Sequence, residues 1–203
     1  MKKILTTPIS GGDIKDLRIG DIVYLTGIAA TARDDGHRRV AEGGRLPEFP
    51  LKGSAVMHVG PIVSGSREEG FKVVAAGPTT SRRMERYERE FIEKTGVKLV
   101  VGKGGMGAKT DAACKDLGAV YCVFPGGCAV TAAAAVEEVL GVEWEDFGMP
   151  EAFWIFKVKE FGPLIVSIDT EGNNLSERNK AEFERKKERA FGEIEKHVNF
   201  SHK

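Results

Sequence analysis

Apolar segments alternate with turns and with helical patterns from Asp21 to Asp169. Most of these segments are short and β-branched, and the Gly-rich junctions after them lead into segments whose apolar residues recur at helical spacing. This alternation is typical of an α/β domain, and several segments are apolar throughout, as in a sheet covered on both faces. The predicted strands are residues 21–26, 55–59, 72–76, 98–101, 119–123, 152–158 and 164–168, and the predicted helices are residues 34–42, 81–95, 109–117 and 131–140.

The last two predicted strands follow each other without a helix between them. They are separated by Phe161-Gly162-Pro163, a turn-forming sequence that predicts an antiparallel hairpin. A hairpin beside strands that alternate with helices gives a mixed sheet. The expected fold class is therefore α/β, with a mixed sheet flanked by helices.

The pattern changes after Gly172 to a long charged segment that ends near His197. One narrow apolar stripe recurs there at helical spacing and consists of Phe183, Phe191, Ile194 and Val198. The stripe predicts packing of this helix against the domain, with docking onto a partner subunit as the alternative. We accordingly expect a domain over residues 1–175 and a charged C-terminal helical extension over residues 176–203.

The composition permits one ordinary hydrophobic core and restricts the partners. The chain has 203 residues, of which 41% are hydrophobic, and no apolar run long enough to cross a bilayer. Thirty basic residues balance thirty acidic residues, so no net field favours nucleic acid or an anionic membrane, and an anion site must be a local cluster. The first residues leave no room for a signal-peptide core before Pro8, so we expect a cytoplasmic protein.

Three cysteines, Cys114, Cys122 and Cys128, have spacings that match neither a C-x-x-C pair nor a ferredoxin sequence. Free cysteines are commonly small buried hydrophobes, and this is the favoured interpretation for all three. Cys128, beside two glycines, has the alternative of approaching a cofactor held by another chain. We predict no metal ligands in this chain.

Four junctions between a strand and a helix carry small, polar or basic residues. In an open α/β sheet such loops gather at one edge, where helix N-termini present free N–H groups and a positive dipole end. This arrangement predicts binding of small anions at that edge. The junctions are residues 27–37, 76–83, 101–109 and 124–131.

Two of these junctions carry guanidinium groups. In residues 77–83 (GPTTSRR), Thr79 or Ser81 can cap a helix, and Arg83 can bind a carboxylate through two N–H groups. The alternative to an anion site is an ordinary helix cap with solvated arginines. In residues 31–37 (TARDDGH), Arg33 is a candidate for binding a carboxylate and Asp34 for orienting it. His37 is either a group that titrates near neutral pH or a hydrogen-bonded structural residue.

The other two junctions are rich in glycine. Residues 102–107 (GKGGMG) lack the order of a P-loop and the spacing of a dinucleotide-binding loop, which leaves nucleotide binding as the weaker alternative. Lys103 is better suited to hold a carboxylate as a point charge. Residues 124–129 (FPGGCA) open a helix of small residues, for which tight packing is the favoured interpretation.

In their order along the chain, these motifs resemble the C-terminal domain of class I iron–sulfur fumarases and the beta subunit of the related tartrate dehydratases. The resemblance covers residues 13–175 and leaves the charged tail outside. It differs at Asp35-Gly36, where such proteins commonly carry alanines. The motifs that carry it are residues 17–21 (LRIGD), 31–37 (TARDDGH), 58–61 (HVGP), 77–80 (GPTT), 83–84 (RM), 102–104 (GKG), 126–127 (GG) and 148–154 (GMPEAFW).

The resemblance implies a swivelling β/β/α domain in a hydro-lyase. The reaction would be reversible hydration of a four-carbon dicarboxylate, fumarate to malate being the first expectation and L-tartrate dehydration the alternative. It implies a [4Fe–4S] cluster held by a partner alpha subunit, and hence a hetero-oligomer whose beta subunit is inactive alone, with a homodimer as the alternative state of the isolated chain. A non-catalytic module that binds a small anion or a partner is the alternative of another class.

The resemblance also implies roles for individual residues. Arg33, Arg83 and Lys103 would bind the substrate carboxylates, and Thr79 would lie where a proton leaves or joins carbon. The residues expected to support them are Asp34, His37, Thr80 and Gly104.

Overall fold

The apolar β-branched segments form a central mixed sheet in the computed structural model, which describes residues 3–198. Its strand order is β1-β2-β3-β6-β7-β9-β8, while β4 and β5 pair separately. The strands are β1 (Lys3–Thr6), β2 (Ile22–Thr31), β3 (Ala55–Met57), β4 (Ile62–Ser66), β5 (Gly70–Ala75), β6 (Leu99–Gly102), β7 (Val120–Val123), β8 (Val136–Glu143) and β9 (Phe153–Ile168).

Helices cover the sheet and separate its strands along the chain. The expected α/β class, with a mixed sheet flanked by helices and a C-terminal helix, is thereby confirmed. The α-helices are α1 (Gly11–Ile14), α2 (Asp34–Ala41), α3 (Glu88–Thr95), α4 (Ala108–Leu117), α5 (Ala129–Ala134) and α6 (Leu175–His197), and short 3-10 helices span Ser81–Arg83 and Glu145–Phe147.

Alternate residues of the inner strands enter two different hydrophobic clusters. In β6, Leu99 and Val101 pack in one cluster, whereas Val100 packs in the other with Phe91 of α3. Successive side chains of a strand point to opposite faces, so the sheet is buried on both sides. The continuously apolar segments in the sequence reflect this double burial.

The predicted hairpin at Phe161-Gly162-Pro163 is wrong, because β9 continues through these residues as one strand. It pairs antiparallel with β2, β7 and β8. Between the pairs Leu25–Phe161 and Val23–Leu164, three steps along β9 oppose two along β2. The Gly-Pro pair therefore lies in a bulge, where an irregular ladder tolerates residues that a regular strand excludes.

Two predicted helices are also corrected. Residues 131–140 contain only the end of α5, after which β8 begins at Val136. Val136, Val139 and Leu140 imitate a helical period, but β-branched residues and pairing with β9 favour a strand. The helix predicted over residues 81–95 is a 3-10 turn at Ser81–Arg83 followed by α3.

The C-terminal helix α6 begins at a side-chain cap and then leaves the sheet. The Asn174 carboxamide oxygen accepts hydrogen bonds from the Ser176 amide at 2.9 Å and the Glu177 amide at 3.2 Å. Phe183 is 67% exposed and Phe191 is 53% exposed, so the predicted packing of the apolar stripe against the domain is wrong. The division at residues 175 and 176 stays a prediction, and its last residues, 199–203, lie outside the described residues.

Among the helices of residues 3–198, none combines the length and the apolar character that crossing a membrane requires.

Candidate active site

The parallel strands bring the predicted motifs to one edge of the sheet. Strands β2, β3, β6 and β7 pair in parallel, so their C-terminal ends face the same way. Arg33, His58 and Lys103 follow the ends of β2, β3 and β6 within two residues. Ligand sites of open α/β sheets form at this edge, which we call the rim.

Residues 77–83 reach the rim through backbone hydrogen bonds. The Thr79 amide donates to the His58 carbonyl at 2.7 Å, and the Ser81 amide donates to the Lys103 carbonyl at 3.1 Å. In return, the Lys103 amide donates to the Ser81 hydroxyl at 2.9 Å. The two loops that carry Thr79, Arg83 and Lys103 are therefore fixed to each other.

Arg83 joins the two arginine-bearing motifs. Its Nε lies 3.0 Å from Asp34 Oδ1 and its Nη2 lies 2.8 Å from Asp34 Oδ2, while Nη2 also donates to the Thr79 hydroxyl at 3.0 Å. Hydrogen bonding from Arg83 lowers the pKa of Asp34, and the same pair raises the pKa of Arg83. Asp34 thus orients a guanidinium group that touches the threonine hydroxyl.

Arg33 is held by a residue to which the sequence interpretation gave no role. Its Nη2 lies 3.1 Å from Glu151 Oε1, and Glu151 Oε2 accepts from the Asp35 amide at 3.2 Å. Burial raises the pKa of Glu151, against the opposing effects of the Asp35 amide and Arg33. A Cβ at Gly60 would collide with the Arg33 guanidinium group, so the motif HVGP shapes the space for this side chain.

Of the three proposed cations, Lys103 alone has no ion pair within residues 3–198. Among residues 3–198, its ammonium group has no hydrogen bond or ion pair, while a Cβ at Gly126 would lie 3.1 Å from Lys103 Cδ. Thr80 forms a parallel bridge with Lys103. Gly104 follows at φ +80°, and its carbonyl accepts a hydrogen bond from the Tyr121 hydroxyl at 2.7 Å. Thr80 therefore links the loop of Thr79 and Arg83 to the loop of Lys103, to which Gly104 belongs.

The N-terminus of α4 at the same rim is occupied by a side chain of the protein. Glu85 accepts hydrogen bonds from the Gly107 amide at 2.6 Å, the Lys109 amide at 3.0 Å and the Thr110 hydroxyl at 2.7 Å. A carboxylate at this position matches the positive end of the helix dipole. Binding of a substrate anion by the amides of this helix, expected from the junction 101–109, is thus not supported.

His37 lies beneath the rim, not on it. It is completely buried, its Nδ1 donates to the Arg33 carbonyl at 2.9 Å, and its ring stacks on Phe91 at 4.3 Å between ring centroids. Of the two interpretations of His37, the hydrogen-bonded structural residue agrees with this position. His37 supports Arg33 through the backbone.

Two other buried residues beside His37 were missed. His58 Nε2 lies 3.0 Å from Glu88 Oε2, and His37 Nε2 lies 3.5 Å from the same oxygen. Burial alone would raise the pKa of Glu88, but the two imidazoles facing it outweigh burial and lower the pKa, while burial lowers the pKa of His58. A glutamate at a core-facing position of a predicted helix is the sequence signal that could have found the group.

The three cysteines do not assemble into a ligand set. Cys114 and Cys122 are buried in the two different hydrophobic clusters, and Cys128 is half-buried at the start of α5. Burial raises the pKa of both Cys114 and Cys122, which disfavours the thiolate that a metal requires. The residues of this chain therefore do not fit an iron–sulfur cluster.

Comparison with known proteins agrees with the motifs at the rim. The family model "Fumarase C-terminus" matches residues 2–179. The chain is 54% identical over 200 residues to the L(+)-tartrate dehydratase subunit beta of Escherichia coli (strain K12), covering 98% of this chain and 99% of that protein.

Two further relatives are more distant. The chain is 43% identical over 179 residues to a putative L(+)-tartrate dehydratase subunit beta of Methanocaldococcus jannaschii, covering 85% of this chain and 91% of that protein. It is 40% identical over 173 residues to a putative fumarate hydratase class I of Geobacillus stearothermophilus, covering 85% of this chain but 33% of that protein. The chain belongs to the fumarase C-terminal family, and its relatives named above are tartrate dehydratase beta subunits and a putative fumarate hydratase class I.

Proposed function

We propose that this chain is the beta subunit of an L-tartrate dehydratase. The first expectation, fumarate hydration, has the weaker support, since identity is 40% to the fumarate hydratase and 54% to the tartrate dehydratase subunit. The observation that supports a dicarboxylate substrate is that Arg33, Arg83 and Lys103 lie in loops at one rim, where Arg83 contacts the Thr79 hydroxyl.

The three cations suit the charge that develops in such a reaction. Dehydration removes a proton from the carbon beside one carboxylate and expels hydroxide from the neighbouring carbon. Negative charge builds on that carboxylate as the proton leaves, and donors already in place stabilise the transition state more than the substrate. We assign this role to Arg33, Arg83 and Lys103.

Thr79 is the proposed proton-transfer residue. A threonine hydroxyl is a weak base in water, so proton transfer at its oxygen needs a nearby positive charge. The Arg83 Nη2, 3.0 Å from Thr79 Oγ1, supplies one, and Asp34 holds the guanidinium plane in place. Asp34, His37, Thr80 and Gly104 are proposed to position these groups without touching the reacting atoms.

We propose that a [4Fe–4S] cluster required for turnover is held by a partner alpha subunit in the cytoplasm. The cysteines of this chain do not fit the cluster, and the relatives of highest identity reported above are named beta subunits. The active complex is then a hetero-oligomer, and this chain is inactive alone.

The test is co-expression of the chain with a cysteine-bearing subunit, followed by assays with L-tartrate, fumarate and malate under anaerobic conditions. We expect an oxygen-sensitive brown complex that dehydrates L-tartrate and no turnover by the isolated chain. Faster hydration of fumarate than dehydration of L-tartrate would transfer the assignment to fumarase. Turnover by the purified chain alone would disprove the need for a partner.

Within that complex, Lys103→Ala and Arg83→Ala test the site. Each is expected to lower kcat/KM by on the order of 100-fold, equivalent to about 3 kcal/mol, because a preplaced donor is lost. Lys115→Ala, an exposed lysine in the last turn of α4, is the matched control and should leave kcat/KM unchanged. Wild-type kcat/KM in both rim variants would refute the assignment.

A further inference from the structure

Three metal-binding side chains meet in the core below the rim. His37 comes from α2, His58 follows β3, and Glu88 begins α3, and each has a relative exposure of 0%. Their nearest donor atoms all lie within 4.8 Å of one another. We call these residues the His-Glu cluster.

The inward-facing atoms of the cluster lack hydrogen bonds. His37 Nε2, His58 Nε2 and both carboxylate oxygens of Glu88 are buried without a hydrogen-bond partner in the described part of the chain. Buried polar atoms are almost always paired, since leaving one unpaired costs about 1–3 kcal/mol. Four such atoms around one point indicate a missing common partner.

The outer nitrogens of both imidazoles are already engaged. His37 Nδ1 donates to the Arg33 carbonyl at 2.9 Å, and His58 Nδ1 lies 2.9 Å from the Ser81 hydroxyl. A metal-binding histidine typically donates its second ring N–H to an oxygen, which leaves the other nitrogen free as a ligand. The Arg33 carbonyl can only accept, so His37 Nε2 is free to bind, and His58 Nε2 is free in the same way when the Ser81 hydroxyl accepts from Nδ1.

We propose that the His-Glu cluster binds a structural zinc ion. Two imidazole nitrogens and a carboxylate oxygen form a known zinc ligand set, in which a water molecule is the fourth ligand. Ligand atoms around tetrahedral zinc lie about 3.3 Å apart for bonds of about 2 Å. The separations of 3.0 Å and 3.5 Å from Glu88 Oε2 to the two Nε2 atoms bracket this value.

A shared proton is the competing occupant, and the geometry favours the metal. His58 Nε2 is within 3.0 Å of Glu88 Oε2, yet the pair does not meet hydrogen-bond geometry. A proton shared between two groups in poor hydrogen-bond geometry is held weakly, whereas a metal ion between them accepts a lone pair from each. The closed surroundings leave no open position for substrate, so the ion is structural and not catalytic.

The proposed ion would connect the loops of the rim. Through His37 it reaches the Arg33 carbonyl, and through His58 it reaches Ser81, whose hydroxyl accepts from the Lys103 amide. One ion beneath the rim would thus fix the backbones of Arg33 and Lys103 relative to each other.

The test is elemental analysis of the full chain purified without immobilised-metal chromatography, together with replacement by Co²⁺. We expect stoichiometric zinc, a reversible fall in Tm when a strong chelator removes it, and the visible absorption of tetrahedral Co²⁺ after exchange. A folded wild-type chain that contains no zinc and gives no tetrahedral Co²⁺ spectrum overturns the proposal and leaves a proton at the cluster.

Variants confirm the location of the ion. His58→Gln and Glu88→Gln should each lose the zinc, while His197→Ala on α6 should retain it as a control for adventitious binding. Retained zinc in both cluster variants would overturn the assignment, and the wild-type Co²⁺ spectrum decides the question if a variant does not fold. None of these readouts uses catalysis, so this proposal can fail while the proposed function stands, and the reverse.

Discussion

Individual ion pairs at the rim organise the side chains that we propose to bind substrate. Arg83 is held by Asp34 and Arg33 by Glu151, whereas Lys103 is held only through its backbone and its aliphatic stem. Asp34 and Arg83 are 39% and 44% exposed at their side chains, so solvent screens this pair. The pair therefore contributes orientation more than stability.

Asp34→Asn tests the pH dependence of this pair. Because the folded pKa of Asp34 lies below its unfolded value of about 3.9, its stabilising effect is complete above that pH and disappears as pH falls through the folded pKa. We expect the wild type to exceed the variant by less than about 1 kcal/mol in free energy of unfolding near neutral pH, with the gap closing below about pH 4. Urea denaturation across this range measures it.

Asp16→Asn is the matched control, since the Asp16 carboxylate makes no ion pair within residues 3–198. Its free energy of unfolding should follow the wild type at each pH. A gap between wild type and Asp34→Asn that widens on acidification would contradict the assigned direction of the pKa.

Local sequence pattern predicts those helices and strands whose conformation depends on residues close in the sequence. The bounds of α2 and α4 fall within one residue of expectation, because local signals mark them: Asp34 and Asp35 begin α2, and Gly118 follows the end of α4. The apolar residues of 136–140 have a helical spacing, yet this segment forms a strand because it pairs with β9. The Gly-Pro pair lies within β9, at a bulge in its pairing with β2. Both errors arise from pairing with a distant strand, which no local window contains.

The carboxylate of Glu85 at the N-terminus of α4 gives a prediction at this scale. Glu85→Ala leaves the Gly107 and Lys109 amides without their acceptor, so the free energy of unfolding should fall by about 1–2 kcal/mol. Chemical denaturation of the isolated chain measures the loss.

Glu93→Ala, an exposed change on α3, is the control and should shift the free energy of unfolding by less than about 0.5 kcal/mol. Equal stability of Glu85→Ala and Glu93→Ala would show that the capping bonds contribute nothing to folding.

For the molecule as a whole, the sequence predicts which loops meet at the rim but not the buried His-Glu cluster beneath them. Parallel strands must end at one edge, and this rule suffices to gather Arg33 and Lys103. The attachment of residues 77–83 to His58 and Lys103 depends on backbone hydrogen bonds between segments distant in the sequence. The His-Glu cluster depends on side chains from α2, from α3 and from the residue after β3, which only the tertiary fold brings together. The charged tail carries an apolar stripe, yet α6 buries none of its residues.

Removal of residues 182–203 tests the predicted division of the chain. We expect the shortened chain to unfold cooperatively with a free energy of unfolding within about 0.5 kcal/mol of the full chain, because the deleted part of α6 buries no side chain. Asn174→Ala in the full chain should instead lose about 1–2 kcal/mol, since Asn174 also bonds the Met106 carbonyl and Asp111. A large loss on truncation would assign α6 to the core domain.

Glu85 accepts hydrogen bonds from the Gly107 and Lys109 amides at the start of α4. These donors are therefore not available to an anion that binds at the rim. If the rim binds a diacid as proposed, discrimination between diacids of different length depends on the side chains of Arg33, Arg83 and Lys103 and not on the amides of α4. We then expect substitutions in the loops around these side chains to shift substrate preference while the scaffold below stays intact.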